Sequence, residues 1–85
     1  MRRYEAVDQS GLHARPAAAF VRAVAKLETD VVLKKGDKAA NAKSILEVLS
    51  LGINYGDEVT IDGFGEEADL DQLEGELQGI LARLD

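Results

Sequence analysis

The sequence predicts an α+β fold: a four-stranded antiparallel sheet with three helices on one face, in the order βαββαβα. Three observations lead there. Short runs near residues 3–8, 30–34 and 58–62 alternate apolar with polar residues or are rich in β-branched ones, as half-buried strands are. Two longer stretches, near 15–27 and 70–84, repeat apolar residues at helical spacing. The second and third strands are joined by a turn too tight for a parallel crossover, which takes about a dozen residues or more. The 85 residues suffice for one domain, residues 1–85, around one modest core.

The elements follow in order. Arg3 to Asp8 alternates loosely around Tyr4, Ala6 and Val7, a first strand, and Gly11 permits the turn that follows. Pro16 has no N–H to donate and a φ suited to a helix, so it belongs in the first turn of a helix over about residues 15–27. Ala17, Phe20, Val21, Val24 and Leu27 share one face of that helix, with Arg22 and Lys26 on another. Asp30-Val31-Val32-Leu33-Lys34 is strand-like, and Lys35-Gly36-Asp37-Lys38 turns the chain into a short partner strand. Ser44 to Leu51 forms a short helix, with Ser44 and Glu47 as a capping box and Gly52 as its stop. Gly56-Asp57 marks a turn into the strand Glu58-Val59-Thr60-Ile61-Asp62. Leu70, Leu73, Leu77, Ile80, Leu81 and Leu84 line one face of a terminal helix. Gly75 and Gly79 within it each cost it about 1 kcal/mol relative to alanine.

Composition narrows the function. The chain has no cysteine, one histidine and a net charge of −6, so a disulfide framework and a thiolate metal site are excluded. Residues 1–43 carry a net +4 and residues 44–85 a net −10. An acidic chain without aromatic-interleaved basic patches does not point to nucleic acid. The basic half suits phosphate chemistry and steering toward an acidic partner. The apolar runs are too short to cross a membrane, and no signal-peptide pattern follows Met1-Arg2-Arg3. The expectation is a cytoplasmic monomer without membrane insertion, metal or bound cofactor.

The only histidine, His13, lies in Gly11-Leu12-His13-Ala14-Arg15-Pro16-Ala17, at the entrance to the first helix. Unpaired backbone N–H groups and the positive end of the helix dipole point outward there. They disfavour the imidazolium and offer donors to an incoming phosphoryl group, while Arg15 supplies a fork of charge-assisted N–H bonds. A lone histidine at a helix start also serves as a cap or a surface residue, and spacing alone does not choose between these roles. The second informative run is Asn41-Ala42-Lys43-Ser44-Ile45-Leu46-Glu47-Val48-Leu49-Ser50-Leu51-Gly52. Its apolar residues outnumber what a two-turn helix can hide, so some form an exposed patch.

Together the two runs, in this order and spacing, resemble the HPr family of phosphocarriers of the bacterial phosphoenolpyruvate-dependent sugar phosphotransferase system. Gly56-Asp57-Glu58-Val59-Thr60-Ile61 is also similar to the family's segment before its last strand. The resemblance spans essentially the whole chain and implies the family's open-faced β-sandwich. It implies that His13 accepts a phosphoryl group, on Nδ1, from phosphorylated enzyme I and passes it to sugar-specific enzyme IIA domains. The protein would be a carrier without independent turnover, not an enzyme. Arg15 would handle the phosphate charge. Ala14, Pro16 and Ala17, with Ile45, Leu46 and Leu49 of the short helix, would form the docking surface. Ser44 aligns with the family's regulatory serine, the target of HPr kinase/phosphorylase in some bacteria, with transcriptional regulators as further partners. The chain departs from the family at Glu47, where glycine is common, and at Leu46 and Leu49, where methionine is common. Glu47 puts like charge one turn from any phosphate on Ser44.

Overall fold

One antiparallel sheet carries the fold. In chain order the elements are β1 (Arg2–Ala6), α1 (Ala14–Ala25), β2 (Val31–Lys35), β3 (Lys38–Asn41), α2 (Ile45–Ser50), β4 (Glu58–Gly63), α3 (Glu67–Glu76) and β5 (Leu81–Arg83). The computed structural model describes residues 1–63 and 67–84. The strands lie in the order β3-β2-β4-β1-β5, and every neighbouring pair is antiparallel.

Side-chain alternation decides which face is covered. The register sets Tyr4 opposite Val59, Leu33 opposite Ile61 and Ala40, and Ala6 opposite Leu81. All of these are buried, against Ala17, Phe20 and Val24 of α1, Val48 of α2 and Leu70 and Leu73 of α3. The other face of the sheet carries Lys34, Thr60 and Asp62, and Lys34 Nζ stands 3.8 Å from Asp62. The sheet is therefore open on one side, as expected for an antiparallel sheet. Helix α1 begins one residue earlier than its apolar pattern suggests and ends at Ala25. Leu27 still reaches the core, from a turn in which its N–H bonds Val24 O at 3.0 Å.

The sheet has five strands where four were expected, because the apolar stripe over 70–84 is shared between two elements. Helix α3 stops at Glu76, and Gly79 then takes φ +85, a backbone state open to glycine and costly for other residues. The chain reverses there, with the Ile80 and Leu81 N–H groups both bonded to Leu77 O. Leu81 to Arg83 pairs with the otherwise open edge of β1, satisfying main-chain groups that a longer helix would leave to water. Leu70, Leu73, Leu77 and Leu81 are all buried as the pattern demanded, but Leu84 is exposed.

Among the described residues, one charged side chain is buried. Arg2, on the covered face of β1, is only 7% exposed and reaches Glu67 (2.5 Å), Asp71 (2.8 Å) and Glu74 (3.1 Å) on α3. Burial works against its charge, but the hydrogen bonds to Glu67 and Asp71 outweigh that and hold the guanidinium protonated. The Tyr4 hydroxyl donates to Glu74 at 2.9 Å. Burial first, and that bond second, push the phenol above its ordinary value. These bonds clamp α3 to the sheet beside β5.

Candidate functional site

Two loops meet beside α1. Residues 7–13 lead from β1 into α1, and residues 51–57 lead from α2 into β4. Leu12 and Ile53, both fully buried, anchor them in the core, and the Leu12 N–H bonds Ile53 O at 3.0 Å. Farther along, the Gly56 N–H bonds Ala6 O at 2.8 Å and the Ala6 N–H bonds Asp57 O at 2.9 Å. Gly11 makes the closest approach. At φ +63 it lies so near the second loop that a Cβ would overlap the Ile53 carbonyl oxygen and sit 2.9 Å from Asn54 Cα.

His13 is the N-cap residue of α1, extended at φ −123 and ψ 158, and its side chain makes no capping bond. The half-buried ring turns instead to the second loop, where Nε2 lies 3.0 Å from Asn54 Oδ1. An amide oxygen only accepts, so this contact is a hydrogen bond in the tautomer with the proton on Nε2 and the lone pair on Nδ1. Ala14 follows at φ +50, a left-handed conformation that costs an L-residue about 1–2 kcal/mol. Such strain persists only where surrounding contacts impose it. Arg15 is exposed, has no ion pair among the described residues, and lines a shallow groove with Asp8, Ser10 and Ile80. A guanidinium so placed is available to an arriving anion.

Asn54 is itself held. Its N–H donates to Asp57 Oδ2 at 2.7 Å and its carbonyl accepts the Asp57 N–H at 3.0 Å. Lys35 Nζ closes the arrangement, 2.9 Å from the same carboxylate and 2.8 Å from Gly52 O. The Asn54 N–H, and after it Lys35, hold the Asp57 carboxyl below the usual carboxylate range.

The other candidate residues separate. Leu46 is 77% exposed, and Ile45 and Leu49 are 38% and 37% exposed, so the outer side of α2 presents three apolar side chains beside Glu47 and Ser50. Ala14 is exposed and Pro16 half-buried. Ala17 is fully buried, because the inner face of α1 needs a small residue against the sheet, and it leaves the docking set. The Ser44 Oγ accepts the Glu47 N–H at 3.3 Å and caps α2. The capping box is only half formed, however. The Ser44 N–H already bonds Asn41 O at 3.0 Å, so the Glu47 carboxylate takes the Asn41 N–H, also at 3.0 Å.

The family model described as the PTS HPr component phosphorylation site matches residues 1–78. The chain belongs to the HPr family of phosphocarriers. Among solved structures it is similar to the phosphocarrier protein HPr of Bacillus anthracis strain Ames, at 35% identity and a TM-score of 0.81, with 93% of each chain covered. An HPr of Thermoanaerobacter tengcongensis matches at 34% identity and a TM-score of 0.80, covering 89% of this chain and 92% of the other. The Bacillus subtilis catabolite repression protein Crh, described as a domain-swapped dimer, is 40% identical with a TM-score of 0.70, covering 85% of this chain and 86% of the other. The HPr fold, an open antiparallel sheet with three helices, is the fold found here. Two features of this family member escaped the sequence reading. The His13–Asn54 contact joins residues 41 apart, and only the turn-like run Gly52-Ile53-Asn54-Tyr55-Gly56 hinted at a loop there. The strain at Ala14 had no sequence signal, since alanine is ordinary at a helix start.

Proposed function

We propose that His13 accepts a phosphoryl group on Nδ1 from phosphorylated enzyme I and passes it to enzyme IIA domains in sugar uptake. The observation that carries this reading is the placement of the His13 ring: half-buried at the mouth of α1, with Nε2 3.0 Å from Asn54 Oδ1, so that Nδ1 is the nitrogen left for chemistry. A neutral nitrogen nucleophile can take a phosphoryl group by in-line displacement, in which the protein contributes position and charge. Arg15 supplies the charge, and main-chain N–H groups at the start of α1 supply further donors. The exposed Ile45, Leu46 and Leu49 supply an apolar contact that both partners would share in turn. One surface serving donor and acceptor is what a carrier needs, because the two never bind together. The protein would act as a monomer in the cytoplasm and have no turnover of its own.

Ser44 belongs to the same proposal as a point of regulation. A phosphate there would sit at the start of α2, beside the Glu47 carboxylate and the apolar contact, and would weaken docking of an acidic partner.

Purified protein incubated with phosphoenolpyruvate and enzyme I tests the carrier role. The expected result is an acid-labile, alkali-stable phosphate on wild type and none on His13→Ala. Leu46→Ser should fold normally and slow transfer. Absence of phosphate on wild type, even with enzyme I of the same genome, would sink the proposal.

A further inference from the structure

We propose that Asn54 is a positioning residue that keeps the His13 proton on Nε2 through both transfers; the inference rests on the carrier role of His13. The geometry is direct, with Asn54 Oδ1 standing 3.0 Å from Nε2. The surroundings fix the main chain from which the amide projects. Asp57 holds the Asn54 main chain on both its N–H and its carbonyl, Lys35 holds Asp57, and Gly11 lets the His13 loop lie against Asn54.

The bond has a role in each direction of transfer. In acceptance, the Nδ1 lone pair forms the P–N bond while the donor's bond to phosphorus breaks and its electron pair returns to the donor. The product ring carries phosphate on Nδ1 and a proton on Nε2, and is cationic. In onward transfer the P–N bond breaks and its pair returns to the ring, which leaves as neutral imidazole with Nε2–H intact. No proton enters or leaves in either step. An acceptor at Nε2 therefore favours the reactive neutral tautomer before transfer and the cationic, better-leaving ring after it. Without it, the phosphorylated ring loses its Nε2 proton more readily, and departure as imidazolate is slow.

The test uses the full chain with ¹⁵N-labelled histidine, in wild type, Asn54→Ala and Asn54→Asp, each checked for unchanged unfolding. Nitrogen shifts of the neutral ring should place the proton on Nε2 in wild type and show a mixed population in Asn54→Ala. Transfer from phosphorylated enzyme I should fall about threefold to tenfold in Asn54→Ala, the scale of one lost hydrogen bond. Onward transfer should fall more steeply as pH rises. The carboxylate introduced by Asn54→Asp should hold the ring protonated and move the acid limb of the acceptance rate to higher pH. A wild-type ring protonated on Nδ1 would overturn the inference, as would rates and pH profiles in Asn54→Ala that match wild type. Failure of wild type itself to accept phosphate would remove the carrier role and the positioning role with it, while the nitrogen shifts would still report the hydrogen bond.

Discussion

Gly11→Ala and Gly36→Ala form a matched pair that isolates the contact between the two loops. The glycines have nearly the same backbone, φ +63 and φ +60. A methyl group at Gly36 meets nothing within 4 Å, whereas at Gly11 it overlaps Ile53 O and presses on Asn54 Cα and C at 2.9 and 3.1 Å. Gly36→Ala should therefore show the backbone cost alone, about 1 kcal/mol. Gly11→Ala carries the same cost and must also push the 51–57 loop away. That breaks the Leu12–Ile53 hydrogen bond, about 1 kcal/mol, and disturbs the packing of two fully buried side chains, about another 1–2 kcal/mol. The expected total is about 3–4 kcal/mol. Urea unfolding reads the difference: with a slope of about 1 kcal/mol per molar for a domain this small, the midpoint should drop by about 1 M for Gly36→Ala and about 3–4 M for Gly11→Ala. Folded Gly11→Ala should also accept phosphate poorly, because Asn54 moves with Ile53. Equal midpoint shifts in the two variants would refute the close approach as the reason for glycine at position 11.

Three further outcomes are expected. Arg2→Met leaves Glu67, Asp71 and Glu74 without their shared cation; the first two are mostly exposed and rehydrate, so the loss should be about 2 kcal/mol, read as a fall in melting temperature of about 10 °C. Asp57, whose folded carboxyl titrates below its ordinary 3.8, contributes stability that is complete above that value and lost as pH falls through the depressed one. Wild type should thus lose stability more steeply than Asp57→Asn as pH falls below about 4 in denaturant titrations, and a parallel pH dependence would count against the bond to Asn54. Ser44→Ala should cost about 1 kcal/mol through loss of the α2 cap while leaving phosphate acceptance on His13 intact, and Ser44→Asp should keep the stability but slow the transfer.

How far the sequence could be read depended on the range of the interaction. Elements set by local pattern were legible: the apolar face of α1, the β2–β3 turn at Gly36 and the Ser44 cap all follow from neighbours within a few residues. The family resemblance was legible too, because Gly11-Leu12-His13-Ala14-Arg15-Pro16 is one contiguous run. What was missed depends on partners far along the chain. The stripe Leu70, Leu73, Leu77, Leu81 fits a helix and equally a helix followed by a strand, and only the free edge of β1 decides between them. Nothing local marked Arg2 as a buried charge, because the carboxylates that hold it lie more than 60 residues away. The Asn54 contact was hidden for the same reason. Ala17 was placed twice, on the apolar face of α1 by the helical pattern and in the docking set by the resemblance, and the helical turn carries it to the core side.

The last strand has a mechanical consequence. Because β5 runs antiparallel to β1, Arg3 and Leu84 lie side by side, joined by the Leu84 N–H to Arg3 O bond of 3.0 Å. Tension applied between those two residues loads the rungs of the ladder singly, and the ribbon opens like a zipper. Tension applied between Val7 and Leu84 runs along the strands and loads the same rungs together, so they yield in shear. A molecule gripped at these two pairs of points would therefore be weak in one direction and strong in the other, with no change in the number of bonds broken.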